Sequence, residues 1–278
     1  MFVFHGQHLE TGLRVILLTL QLTNLKAHSP NHQNFSFQES VMIRNIFCSA
    51  LLVFMPFSAL AQSVWVDYSL VLKPGSQVGT ATAVSEYLGS NDKFEGLAIF
   101  NAEVINGANP QTHNLAIIYE DQESWDRSLS ALTGSAAREK FLETMRSNGE
   151  VIGETAYLHV AGWGEPGNEG TQYIGFAMKV SNPKRYVELL EEYAEQPGNA
   201  TEIAGIDLYQ VLAGAPTGVT HVVVISAEKR YQFMERYNSP EFTKYLRKFA
   251  SVREVLGVNY ADNISFSGGL SIETLRKE

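Results

Sequence analysis

Apolar and polar positions divide the chain from Trp65 onward into two runs of the same elements. Trp65 to Leu72 is rich in β-forming residues and stops at the turn signal Lys73-Pro74-Gly75, which predicts a first strand. Between Val78 and Leu88, the residues Ala81, Val84, Tyr87 and Leu88 fall at helical spacing, and Gly79 weakens the helix they predict. Gly96 to Ile105 and His113 to Tyr119 predict two strands joined through the Asn106-Gly107 turn. Glu123 to Ser147 predicts a long helix, with Trp125, Leu129 and Leu132 on one stripe, Phe141, Leu142 and Met145 on another, and a break at Thr133-Gly134. Val151 to Ala161 closes the run as a fourth strand.

The second run is cleaner. Tyr173 to Val180 predicts a strand, and Ser181-Asn182-Pro183 starts a helix with Tyr186, Leu189, Leu190 and Tyr193 on one face. Ile206 to Ala213 and His221 to Ser226 form a hairpin. A helix broken at Asn238-Ser239-Pro240 then leads to a last strand over Val255 to Ser265. The two runs also match residue by residue. Gly107-Ala108-Asn109-Pro110 leads to Thr112-His113 as Gly214-Ala215-Pro216 leads to Thr220-His221, and Ser135 to Gly153 maps onto Ser239 to Gly257 at a constant offset. A repeat of this length decides architecture.

Each run reads β-α-β-β-α-β, the ferredoxin-like arrangement. Its sheet has helices on one face, and the other face needs a partner that the second copy supplies. The expected fold is therefore α+β: two tandem ferredoxin-like repeats, 62–164 and 171–268, whose antiparallel sheets pair as an intrachain α+β barrel, with a linker at 165–170 and a tail at 269–278. Gly162, Gly164 and Gly167 match G-x-G-x-x-G, but a strand follows where a helix N-terminus is needed, and Glu165 would repel a phosphate.

Composition narrows the partners. Met42, the basic Arg44, the apolar run Ile46 to Phe57 and Ala59-Leu60-Ala61 predict a secretory signal peptide over 42–61, cleaved after Ala61, with 1–41 an over-extended start. Export would be to the periplasm or beyond. The apolar run is shorter than the roughly 20 residues a spanning helix needs, so no membrane is expected in the mature form. The single Cys48 lies in this leader, so disulfides and thiolate metal sites are excluded from the mature chain, and His5, His8, His28 and His32 fall upstream in 1–41. The formal net charge is -9; the leader carries three of the basic and two of the acidic residues, leaving 18 against 28 and a net charge of about -10. That balance disfavours nucleic acid and anionic lipid.

Ile225 to Phe249, with Glu228, Asn238-Ser239-Pro240-Glu241-Phe242 and a further aromatic, resembles the dimeric α+β barrel superfamily, which includes antibiotic-biosynthesis monooxygenase-like, EthD-like and NIPSNAP-like domains. The resemblance implies a small hydrophobic or aromatic ligand, held in the barrel or between sheet and helices. Some members are cofactor-independent oxygenases or haem-degrading enzymes. The monooxygenase-like branch often places a His three residues before the Ser of the Ser-Pro motif, where this chain has Leu132 and Arg236.

The mature chain keeps three histidines. His113 and His221 occupy equivalent first positions of a strand, where each could act as a base or orient a ligand carbonyl, or could tie down the preceding turn. His159 aligns with Asn263 and breaks the symmetry. It shares a strand face with Tyr157, and alternation places Asn101 and Glu103 on a comparable face. Glu103, Tyr157 and His159 are the candidate catalytic cluster, with solvent-facing alternation as the plain alternative. Trp125 and Trp163 could stack an aromatic ligand, although Trp125 also suits a helical core. No zinc spacing, phosphate loop or nucleophile elbow is present, so no metal or cofactor is expected. The functional expectation is a monomeric exported binder of a small apolar or aromatic molecule. The alternatives are a cofactor-independent monooxygenase-like or haem-related enzyme, and a non-catalytic module with a filled barrel.

Overall fold

Strict alternation along the first strand sets the layering of the whole molecule. In β1 (Val64–Leu72), Val64, Val66 and Leu70 are buried in a helix-covered core, whereas Trp65, Asp67 and Ser69 point the other way. The computed structural model describes residues 62–271 apart from 90, 166, 168 and 197–204. The expected start region 1–41, the leader 42–61 and residues 272–278 of the tail lie outside the described residues.

The first half continues with helix α1 (Gln77–Val84), one π-helical turn (Ser85–Gly89), β2 (Gly96–Ile105), β3 (His113–Tyr119), α2 (Gln122–Leu132), α3 (Ala136–Asn148) and β4 (Gly149–Gly164). The second comprises β5 (Gln172–Val180), α4 (Pro183–Ala194), β6 (Gly205–Ala213), β7 (His221–Ala227), α5 (Arg230–Tyr237), α6 (Pro240–Ala250) and β8 (Arg253–Gly268). Polar side chains start four of these helices: Asp121, Ser135, Asn182 and Ser239 accept from the backbone N–H of Ser124, Arg138, Arg185 and Phe242 at 2.7, 3.1, 3.1 and 3.1 Å. The break expected at Thr133-Gly134 falls there, with Gly134 at φ +75.

All eight strands close into one antiparallel barrel in the order β1-β3-β2-β8-β5-β7-β6-β4. Each repeat contributes the four-stranded order of a ferredoxin-like sheet. The seams between repeats are β2–β8 and β4–β6. Strands β4 and β8 exceed the expected Val151 to Ala161 and Val255 to Ser265, each reaching 16 residues. The first part of each pairs inside its own repeat and the last part crosses to the other repeat. The glycines at the two ends of β4 are paired within the sheet, Gly149 with Leu72 and Gly164 with Gly205.

The helices cover the outside. Val66, Leu70, Phe100 and Leu115 pack with Val84, Leu88, Leu132 and Met145 in one half. Ile174, Phe176, Met178 and Val223 pack with Tyr186, Leu189, Tyr193, Phe233, Phe242 and Phe249 in the other. Because every neighbouring pair is antiparallel, β2 and β6 run the same way, and the β2–β3 and β6–β7 hairpins fall at one end of the barrel. The β4–β5 linker lies at the opposite end. There, on the side of the first repeat, Leu97, Ile99, Ala116 and Ile118 pack with Trp65, Phe266 and Leu270 inside the barrel.

Candidate active site

The inward-facing side chains leave a cavity of about 590 Å³ inside the barrel. An aromatic wall forms part of it. Trp65 stacks on Tyr157 at a centroid distance of 4.7 Å and meets Tyr209 edge-on at 4.8 Å. Tyr173 also lines the space. Asn106, Asn109, Gln111, Pro216 and Thr217 bring the cavity to the hairpin end.

Next to the aromatic wall lies a hydrogen-bonded acidic network. Asn114 Nδ2 donates to Asp67 Oδ1 at 2.9 Å. Glu103 accepts from Gln111 Nε2 at 2.9 Å and from Asn259 Nδ2 at 3.0 Å. Asn263 Nδ2 donates to Asn101 Oδ1 at 3.1 Å, so the second repeat holds two side chains of the first across the β2–β8 seam. Gly175 makes room for this arrangement, since a Cβ there would lie 2.3 Å from Asn259 Oδ1.

Burial pushes the Asp67 carboxyl up to about 7, with the charge of Glu103 adding to the rise and the Asn114 hydrogen bond opposing it. What surface Asp67 keeps opens onto the cavity. Burial likewise raises Glu103, against the pull of its Asn259 and Gln111 hydrogen bonds. The Tyr157 hydroxyl is raised by burial and then by the charge of Asp67. A carboxyl group titrating near neutrality is suited to take a proton and return it.

Two buried polar atoms at this wall have no partner. They are the donor Trp65 Nε1 and the acceptor Asn114 Oδ1. Buried polar groups are ordinarily satisfied, so unpaired ones lining a cavity mark where a ligand would bond.

Of the residues singled out from the sequence, Asn101, Glu103 and Tyr157 line the cavity. His159 stands beside it, 3.2 Å from Asp207 Oδ1 through Nε2 and edge-on to Tyr209. His113 and His221 face outward, towards the helices. Their Nδ1 atoms lie 2.9 Å from the hydroxyls of Thr112 and Thr220, and His113 also stacks on Phe100. Those hydroxyls accept from Leu72 N and Val180 N at 2.9 Å, fastening the ends of β1 and β5 to the hairpins. Trp125 and Trp163 pack against the outer cores. Leu132 is also in an outer core. Arg236 is buried against Tyr193, to whose hydroxyl its Nε donates at 3.1 Å.

Sequence reasoning missed Asp67, Trp65, Asn114, Asp207, Tyr209 and Asn259. For Asp67 there was a signal: an acid in a strand whose alternate positions are all apolar. The register supplies a second one. Leu70 pairs with His113 as Met178 pairs with His221, so Asp67 and Asn114 correspond to Gly175 and Val222 in the second repeat. The acid–amide pair exists in one half only.

Family models match nothing in this sequence, and no curated protein matches it either. Solved structures do. A proposed monooxygenase from Fusobacterium nucleatum subsp. nucleatum superposes with a TM-score of 0.55 at 14% identity, over 76% of this chain and 97% of that one. An anthrone oxidase-like protein gives 0.52 at 11%, over 77% and 96%. A proposed monooxygenase from Lactobacillus acidophilus gives 0.51 at 8%, over 74% and 96%. These likenesses are of fold alone: a barrel of two ferredoxin-like sheets, the architecture that the resemblance to the dimeric α+β barrel superfamily implies. Here both halves of the barrel come from one chain, as the repeat implied.

Some members of that superfamily handle haem, which needs an axial ligand facing the bound group. Among the described residues no imidazole lines the cavity: His113 and His221 point outward, and His159 lies beside it with Nε2 engaged by Asp207. These residues do not fit an imidazole-ligated haem. Nor, among the described residues, are three or more His, Cys, Asp or Glu placed to hold a metal ion.

Proposed function

We propose that this protein oxygenates a small aromatic molecule inside its barrel, with Asp67 as the general base. The observation that carries the reading is the half-buried Asp67 carboxyl, held by Asn114 at 2.9 Å in a cavity walled by Trp65, Tyr157, Tyr173 and Tyr209, where desolvation pushes it up to about 7. The names of the structural neighbours, two proposed monooxygenases and an anthrone oxidase-like protein, support the same class.

In this reading the aromatic wall holds the ring by stacking and edge contacts. Ionised Asp67 takes a proton from an acidic X–H group of the ligand, leaving the ligand electron-rich enough to react with dioxygen. Trp65 Nε1, a buried donor without a partner, is the group of this wall assigned to an oxygen on which charge develops. The stoichiometry is SH2 + O2 → SO + H2O: the substrate gives both hydrogens and the two electrons, so no external reductant enters. Glu103, Asn114 and Asn259 act as positioning residues, through Asp67 and through each other.

The test is oxygen uptake by the purified protein with anthrone as probe, in the presence of a chelator. Uptake should fall about a hundredfold or more in Asp67→Asn, in the usual range for loss of a general base. No uptake by the parent protein, or equal uptake by the variant, would overturn the reading.

A further inference from the structure

We infer that the barrel cavity selects a cationic ligand: a protonated amine on an aromatic or apolar body, its ammonium seated at Asp67 and Asn114. The inference deepens the reading of the cavity as a substrate site and rests on it; the X–H group from which ionised Asp67 takes its proton is then an N–H of that ammonium, which is left as the electron-rich free amine.

The charges of the lining point one way. Asp67, Glu103 and Asp207 all line the cavity, and among the described residues no Lys, Arg or His does. Glu103 is held by the amides of Gln111 and Asn259, and Asp67 by the amide of Asn114. Amides orient a carboxylate without neutralising it. An anionic ligand would add charge to a desolvated acidic space, whereas a cation supplies what is missing.

Hydrogen-bonding capacity agrees with the charges. Asn114 is only 8% exposed; its Nδ2 is engaged by Asp67, and its Oδ1 has no partner. With Asp67 ionised, the pair offers acceptors where a ligand would meet it. An ammonium group carries only donors, and charge-assisted bonds to a carboxylate are the stronger kind. The rings of Trp65, Tyr157 and Tyr209 beside this point add the attraction of aromatic faces for cations.

The other half of the barrel fits the rest of the molecule. In the second repeat the positions of Asp67 and Asn114 are Gly175 and Val222, and Ala177 and Val224 extend the same apolar wall. The acid of that half, Asp207, already has His159 Nε2 at 3.2 Å, so a ligand with a charged end and an apolar body is oriented with its charge towards Asp67. A bare metal ion does not suit the site, because the carboxyl groups do not gather into a cluster that could coordinate one.

Three ligands that share an indole ring test the inference by calorimetry at pH 8: tryptamine, indole-3-ethanol and indole-3-acetate. Tryptamine should bind about tenfold or more tighter than the alcohol, and the acid weakest, as charge-assisted bonding and cation–π attraction predict. In Asp67→Asn the preference for tryptamine over the alcohol should collapse while the alcohol still binds. Tighter binding of the alcohol or the acid to the parent protein overturns the inference and leaves the cavity as a substrate site standing. Binding of none of the three overturns both.

Discussion

Asp67 links stability to chemistry at a single residue. The folded protein keeps its proton up to about pH 7, whereas a free aspartate gives it up near 3.8. Between those values the unfolded chain binds fewer protons than the native one, so this group's contribution to stability falls as pH rises from about 4 to about 7 and then levels off. At about 1.4 kcal/mol per pH unit, the cost of ionising it inside the barrel reaches at most about 4 kcal/mol above pH 7. Asp67→Asn stays neutral throughout and keeps the shape. The variant should be more stable than the parent in urea at pH 8, with the gap closing by pH 4. Parallel stability curves for the two proteins across this range would show that burial does not strain Asp67. The same residue shows how the site hid in the sequence. Asn101, Glu103 and Tyr157 were found because alternation puts them on one face. Asp67 was missed because its partners Asn114 and Glu103 reach it only through strand pairing, and pairing is not written in any local stretch. Asp67 against Gly175 breaks the symmetry of the copies just as His159 against Asn263 does.

At the scale of elements, the repeated Thr-His pairs serve construction. Thr112 and Thr220 each accept a backbone N–H from the neighbouring strand, and each is joined to the following histidine. Burial lowers both histidines, which favours the neutral ring in each hairpin. Thr220→Val keeps shape and removes the acceptor for Val180 N–H, leaving a partly buried donor unpaired. It should cost about 1–2 kcal/mol in urea unfolding. Thr112→Val should behave alike, and the double variant should show the sum, because the two sites are separate. Strongly coupled losses would mean that the hairpins act as one unit. Elements were the most legible level in the sequence: β2 and β3 begin and end where alternation placed them. The errors fell at β4 and β8, whose extra length serves pairing with the other repeat and so depends on residues far away in the chain.

For the whole molecule, closure within one chain replaces association between two. An open four-stranded sheet leaves two edges that invite pairing, and a ring of eight strands leaves none. Side chains as well as backbone hold both seams. Asn259 to Glu103 and Asn263 to Asn101 cross from the second repeat to the first at β2–β8, and His159 meets Asp207 at β4–β6. Each repeat therefore depends on the other for two strand pairings and for the polar floor of its own sheet. Two consequences should be measurable on the chain from residue 62 onward. Sedimentation should find a monomer, since no strand edge remains to recruit a second copy. Urea unfolding should be a single transition, coincident by tryptophan fluorescence and circular dichroism, because neither half keeps its inner face covered once the other opens. A tight dimer would mean that another surface, not a strand edge, drives association. Two separated transitions would mean that the seams contribute little and that each repeat folds on its own. In that case Asn259→Ala, which cuts a seam bond to Glu103, should leave the first transition where it was. If the halves stand or fall together, the same substitution should lower the one midpoint for the whole barrel.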